Sequence, residues 1–307
     1  VPALNEEDNI APLIESCMPV FQQLSNYTFQ LLIIDDGSTD NTIGEIEKLI
    51  AKKLPVGYVR LSRNYGHQSA LEAGLAVCVS ATNSFKPDAI ITMDGDLQHP
   101  PAEIPNMLKA FEQGADVVQM KRTNTGDSFR GMLSLGYYTF FSWISDSNLV
   151  PNAADFRLLS RKVAEQIVAI PGKGKLLRAI IPSLGFKQVH LGYVQPPRKF
   201  GKPSYSLFAL YELSLHTTFK FSRFPAHFTT LSGVAFLLSG LILYLLYALN
   251  IVPDSNHSFF LLAVLFIGGI ILSTAGILCW YLYFILEQVR HDPSFVIDKT
   301  VYPNHEQ

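Results

Sequence analysis

Ile90-Ile91-Thr92-Met93-Asp94-Gly95-Asp96-Leu97-Gln98 is a short apolar run that stops at two carboxylates one residue apart, followed by a side-chain amide. Apolar residues without alternation read as a strand buried on both faces, the habit of parallel sheets. Ligands of such sheets sit beyond the carboxyl ends of the strands, so Asp94 and Asp96 are expected at a cleft. Hard oxygen donors of this kind suit Mg²⁺ or Mn²⁺, with substrate phosphates completing the coordination shell. A polar turn uses the same residue types, since Asp and Gly are ordinary turn formers. An isolated Asp-x-Asp does not separate these readings; the other strand ends do.

Outward from this stretch the pattern repeats. Phe29 to Ile34 is an apolar run ending in Asp35-Asp36-Gly37-Ser38-Thr39-Asp40-Asn41-Thr42, and Val56 to Leu61 ends in Arg63-Asn64-Tyr65-Gly66-His67-Gln68. Asp116 to Met120 ends in Lys121-Arg122. At the front, Val1 reads as the last residue of a strand whose body precedes the sequence given, with Pro2-Ala3-Leu4-Asn5-Glu6-Glu7 as its loop. Helical spacing joins Ile10, Leu13, Ile14 and Cys17, an Ala-rich helix is expected over Ser69 to Val79, and another over Glu103 to Gln113 behind Pro100-Pro101. Strands alternating with helices predict an α/β domain with a mostly parallel sheet. Capping accounts for Thr39 or Asp40. Acids for a metal and arginines for phosphate, on one sheet edge, describe a nucleotide-diphosphate site. Neither a Gly-x-Gly-x-x-Gly nor a Gly-Lys-Ser/Thr loop is present, which disfavours a dinucleotide dehydrogenase or a P-loop enzyme.

The chain has 307 residues and a net charge of -2, so bulk charge gives no reason to expect nucleic acid as a partner. Hydrophobic residues make up 48% and charged residues 16%, and the apolar excess lies towards the C-terminal end. Phe228 to Pro253 and Ser258 to Leu286 carry no Asp, Glu, Lys or Arg. Each exceeds the ~20 residues that span a bilayer. Only Asp254-Ser255-Asn256-His257 separates them, which predicts a tight transmembrane hairpin, with helices at about 228–250 and 259–286. Lys220, Arg223, Arg290 and Lys299 flank the pair and the connecting loop has no Lys or Arg. The positive-inside rule then puts both flanks and the α/β domain at the cytoplasmic face. Gly268, Gly269 and Gly276 allow close helix packing, which makes a homo-oligomer an expectation. The resulting plan is a catalytic domain over 1–203, a juxtamembrane amphipathic segment over 204–227, the hairpin over 228–286 and a cytoplasmic tail over 287–307. Phe129 to Ile144 reads equally as a helix on the core or on the membrane surface. Gly172-Lys173-Gly174-Lys175 and Arg198 to Tyr205 are basic loops; charged loops are usually just solvated, but the second precedes the membrane closely enough to meet a lipid phosphate. Cys17, Cys78 and Cys279 match no zinc or disulfide spacing and are expected as reduced, buried thiols.

The segments Val1 to Glu7, Asp35-Asp36-Gly37-Ser38, Arg63 to Gln68 and Met93 to Gln98 together resemble the polyprenyl-phosphate glycosyltransferases of glycosyltransferase family 2, the group that includes dolichol-phosphate mannose synthase. The paired C-terminal apolar segments look most like the GtrB-type bactoprenol glucosyltransferases. The resemblance covers nearly the whole chain. It implies a GT-A fold (Rossmann-like) and inverting transfer of one sugar from a nucleotide-sugar to a polyprenyl (undecaprenyl) phosphate at the inner (plasma) membrane. UDP-glucose is the first donor it implies, with GDP-mannose or a UDP-linked amino sugar as alternatives. On matching positions, Pro2, Leu4, Glu6 and Asp36 would hold base and ribose. Asp94, Asp96 and Gln98 would bind metal and donor diphosphate, and Arg122 and Arg130 would contact phosphates. Asp155 and Arg157 match an Asp-Phe-Arg segment near sugar and acceptor phosphate, and Arg198 with Lys202 and Ser204 would close over the acceptor. Relatives often carry Lys where Ser204 stands, and an Arg found in many of them after Arg122 is missing.

The acceptor phosphate is already ionised near neutral pH and needs no strong general base. Catalysis would then rest on positioning and charge. A processive polysaccharide synthase would carry more spanning helices and a Gln-x-x-Arg-Trp element. A membrane scaffold with a degenerate transferase domain would lack nucleotide-sugar binding, and a nucleotidyltransferase would release pyrophosphate.

Overall fold

The computed structural model describes residues 1–80, 85–123, 153–172, 175–197, 229, 231–235, 238–239, 242, 245–246, 249, 257–289 and 293–303. The chain divides into two compact units, and all eight described strands belong to the first.

Four strands form one sheet: β1 (Pro2–Ala3), β2 (Leu31–Asp35), β3 (Val56–Leu61) and β8 (Ile297–Val301), in the order β1-β2-β3-β8. The first three are parallel, as the apolar runs predict. β8 pairs antiparallel with β3, so part of what reads as a tail completes a sheet edge. Its backbone approaches so closely that a Cβ on Gly57 would lie 2.4 Å from the Val301 carbonyl oxygen. Only a bare backbone fits there.

The second sheet contains β4 (Ala89–Thr92), β5 (Val117–Arg122), β6 (Ala153–Ser160) and β7 (Gln188–Tyr193), in the order β4-β6-β5-β7. Here the expectation of a mostly parallel sheet is corrected. β6 runs antiparallel to both β4 and β5, and only β5 and β7 are parallel. β6 escapes a hydropathy reading because Asp155 and Arg157 interrupt it, yet all eight of its residues are buried. Two charges tolerated inside a buried strand mark a site and not a fold requirement alone.

Helix α1 (Glu7–Gln23) buries Ile10 and Ile14 against the first sheet and turns Leu13 and Cys17 to a cluster with Met93 and Phe156. α2 (Thr42–Ala51) adds Ile46 and Leu49 to the first of these clusters. α3 (His67–Val79) has apolar residues on two sides. Ala70, Ala73 and Val77 meet Ile34, Val59 and Leu61, while Leu71 and Leu75 meet Ile90 and Leu159. One helix thus seals residues of both sheets and holds its N-terminus, at His67, beside the strand ends. A 3₁₀ turn (Pro101–Glu103) leads into α4 (Ile104–Glu112), and α5 (Arg161–Ala169) and α6 (Leu177–Ser183) complete the first unit. The three cysteines are unpaired. Cys17 is buried, which pushes its thiol up to about 11, and Cys279 is exposed against expectation.

In the second unit α7 (His257–Val289) runs for 33 residues, roughly 50 Å at the helical rise. Its stretch Phe266–Tyr283 has a mean hydropathy of 1.7, and Phe266, Ile271, Leu278 and Leu282 are exposed. Among the described residues it is the one helix long and apolar enough to cross a membrane. The segments 129–144 and 204–227 lie outside the described residues, and 228–250 is described only in part.

Candidate functional site

Three strand-end loops are laced together by side chain to backbone bonds. Asn5 N–H donates to Ser38 Oγ at 2.9 Å, and Thr39 N–H donates back to Asn5 Oδ1 at 2.9 Å. Glu6 N–H donates to Thr42 Oγ1 at 2.9 Å. Asp36, at the end of β2, accepts from the backbone of Tyr65 (2.7 Å) and Gly66 (2.9 Å). Burial raises the Asp36 pKa against the pull of these two N–H groups. The carboxylate expected at the nucleotide therefore fastens the loop after β3. Gly37 sits at φ +75°, where a Cβ would lie 2.6 Å from the Arg63 carbonyl carbon. The turn and the close approach both demand glycine.

The acid loop follows β4. Asp94 is partly exposed, Asp96 is buried, and Asp96 Oδ1 accepts the Gln98 N–H at 3.1 Å. A Cβ on Gly95 would stand 3.3 Å from the Pro2 carbonyl oxygen and 3.8 Å from Glu6 Cγ, so the front loop lies against the acid loop. Glu6 accepts from Asn9 Nδ2 at 2.6 Å, and Leu4 is exposed.

The centre is Asp155 on β6. Its carboxylate pairs with the wholly buried Arg157, with Arg178 of α6 (Nη2 at 2.8 Å) and with His67 of α3 (Nε2 at 3.5 Å). Burial would raise its pKa, but the Arg178 and Arg157 guanidiniums outweigh burial and hold it well below the carboxylate range. His67 also lies 3.5 Å from Asp94 Oδ1, and so bridges the acid loop to Asp155. Burial lowers the His67 pKa, yet contact with Asp155 and the charge of Asp94 raise it overall. Arg122, at the end of β5, stands in register with Tyr193 of β7.

Several buried polar atoms here have no hydrogen-bond partner among the described residues: Asp94 Oδ1, His99 Nε2, Arg122 Nε, Arg157 Nε and Nη1, and Tyr193 Oη. Unanswered groups of this kind are rare and call for a ligand or water. Carboxylates, guanidiniums and an imidazole together can hold a cation and neutralise phosphate. No three His, Cys, Asp or Glu side chains gather into a metal cage among the described residues. The buried Asp94 Oδ1, which makes no hydrogen bond among the described residues and has His67 at 3.5 Å, still fits a hard cation of the kind that takes one or two carboxylates and completes its shell with substrate phosphates.

The structure thus brings together Asp94, Asp155 and Arg157, sets Pro2 and Glu6 beside the acid loop, and keeps Asp96, Gln98 and Arg122 at strand ends. Arg130, Arg198, Lys202 and Ser204 lie outside the described residues. Sequence reasoning missed His67, His99, Arg178 and Tyr193. The position of His67 at the first turn of a helix after a strand end was a usable signal; Arg178, inside an ordinary helix, offered none.

Residues 1–168 match the model of glycosyl transferase family 2. The bactoprenol glucosyl transferase derived from the SfII prophage of Shigella flexneri is 31% identical over 98% of this chain and 96% of its own length. The prophage bactoprenol glucosyl transferase homolog of Escherichia coli K12 is 31% identical over 97% of both chains. Among solved structures, a glucosyl-3-phosphoglycerate synthase of Mycobacterium tuberculosis is 22% identical with a TM-score of 0.47, over 71% of this chain and 74% of its own. The family match over more than half the chain and the near full-length identity agree: the chain is an enzyme that transfers sugar and belongs to glycosyltransferase family 2.

Proposed function

We propose that this enzyme transfers a single sugar, glucose from UDP-glucose in the first instance, to polyprenyl phosphate at the cytoplasmic face of the membrane. The observation that carries this reading is the state of Asp155. Asp155 is held by two guanidiniums and an imidazole, which leaves it ionised but too weak a base to deprotonate a sugar hydroxyl. A phosphate acceptor needs no such base. Its oxygen attacks the anomeric carbon, the bond from that carbon to the donor diphosphate breaks, and the nucleoside diphosphate leaves with inversion and no obligatory proton transfer. The bactoprenol named in the relatives supports a lipid phosphate as acceptor.

In this reading Pro2, Leu4 and Glu6 line the nucleoside end, and Asp36 contributes through the loop it fastens. Asp94, Asp96 and Gln98 hold Mg²⁺ or Mn²⁺, which when bound supplies positive charge to the leaving diphosphate. Arg122 is assigned to the donor phosphates, with Arg130 by resemblance. Arg157, whose Nε and Nη1 make no hydrogen bond among the described residues, is assigned to the acceptor phosphate, with Arg198, Lys202 and Ser204 by resemblance. The domain plan is kept, with two spans at about 228–250 and 259–286. Connectivity supports the pair. The chain leaves one sheet after Tyr193 and returns to its unit at Ile297, so any crossings of a bilayer between them must be even in number. One long apolar helix lies in that interval, which asks for a second.

The test is transfer by purified protein with undecaprenyl phosphate, Mg²⁺ or Mn²⁺, and a panel of radiolabelled nucleotide-sugars. Label entering the lipid phase from one donor, lost with chelator and reduced about a hundredfold or more by Asp96→Ala, is the expected result. Nucleotide binding without transfer to the lipid would overturn the acceptor, and absence of both would favour a scaffold.

A further inference from the structure

His99 directly follows the quoted acid stretch and has no part in the scheme above. It is wholly buried. Its ring stacks on Phe156, with centroids 5.0 Å apart and planes at 11°, and meets the edge of Tyr193 at 6.0 Å. A phenyl ring would also make both ring contacts, so they do not by themselves call for an imidazole. The nitrogens do. Nδ1 accepts the backbone N–H of Asp94 at 2.8 Å. Because Nδ1 accepts an N–H it carries no proton, which places the ring's proton on Nε2. Nε2 lies 3.6 Å from Asp94 Oδ2, too long for a hydrogen bond but close enough for attraction. Both nitrogens thus face the same residue, one by a hydrogen bond and the other by charge alone. With Oδ2 turned to His99, Oδ1 is the oxygen presented beside His67, 3.5 Å away.

We infer that His99 is a positioning residue that clamps Asp94 by its backbone N–H and its carboxylate, and so sets which oxygen the first acid of Asp94-Gly95-Asp96 presents to the donor site. It touches no substrate and acts only through Asp94. Its effect on transfer rests on the reading of Asp94 as a donor residue; the clamp itself does not.

Two variants of the full-length protein in detergent separate the clamp from packing. His99→Phe keeps the ring stack and loses the acceptor. His99→Asn loses the stack but sets Oδ1 near the place of Nδ1. The clamp predicts turnover about tenfold or more lower for His99→Phe and within about threefold of wild type for His99→Asn, although the Phe variant melts higher. Packing alone predicts the reverse order. Hydrogen–deuterium exchange at the Asp94 amide gives a readout independent of activity. It should accelerate about tenfold or more in His99→Phe. Unchanged exchange and wild-type turnover in His99→Phe overturn the inference. If wild-type protein moves no sugar to the lipid, the functional reading fails and the exchange result still decides the clamp. If His99→Asn does not fold, exchange and turnover in His99→Phe decide it.

Discussion

Asp155 carries two guanidiniums and an imidazole on one carboxylate, and its removal is felt first by Arg157. That side chain is fully buried, and Asp155→Ala strips it of its counter-charge. Breaking a buried pair from one side costs about 3–5 kcal/mol, and denaturant unfolding in detergent should show a loss of that order. The pH dependence follows from the direction of the shift. The folded-state pKa of Asp155 is depressed, so its stabilisation is fully present above the unfolded value of about 4 and is lost as pH falls through the lower folded value. Melting temperature recorded from pH 6 down to pH 2 should drop more steeply for wild type than for Asp155→Asn. Equal slopes would mean that the cluster does not hold the carboxylate ionised.

At the scale of elements, the hydropathy runs located β2, β3, β4 and β5 and the helices between them, because each is apolar and bounded by turn chemistry. β6 and β8 were not legible. β6 carries its charges inward, and β8 has the exposed, polar face of an edge strand. For the site, Asp94, Asp96, Asp155 and Arg157 were legible as acids and a base at strand ends or in a motif, whereas Arg178 is defined only by where α6 points it. The basic turn at Gly172–Lys175 also changes meaning. Lys175 is buried and pairs with buried Glu72 of α3 at 2.7 Å, while Gln68 Oε1 accepts the Leu177 N–H at 3.3 Å. Those contacts brace α3 against the start of α6, which carry His67 and Arg178. Lys175→Met leaves Glu72 buried without its cation and should lower stability by about 3–5 kcal/mol, with most of that recovered in Glu72→Leu/Lys175→Met. A double variant as unstable as the single one would remove the pair from the account. Gly57→Ala places a methyl against the Val301 carbonyl and should cost about 1–3 kcal/mol, with faster amide exchange in residues 297–301.

For the whole molecule, α7 presents Phe266, Ile271, Leu278 and Leu282 outward over a length greater than the bilayer core. The protein should stay in the membrane pellet through alkaline carbonate washing and enter solution only with detergent. Release by carbonate would refute the spanning reading. Protease added to sealed inside-out vesicles should reach the exposed Lys187, because the proposed orientation puts the sheets at the cytoplasmic face.

The pairing of Tyr58 with Val301 has a consequence for biosynthesis. The two residues are roughly 240 positions apart, so at ordinary elongation rates some ten to fifty seconds separate their emergence from the ribosome. Throughout that interval β3 offers an unpaired edge to any extended neighbour. The partner that closes it arrives only after the long apolar helix has been made and the chain has turned back from it. In the spanning reading, delivery to the bilayer and completion of the sheet are serial steps, and a chain delayed at the translocation machinery would accumulate with its catalytic domain open to strand-swapped aggregation.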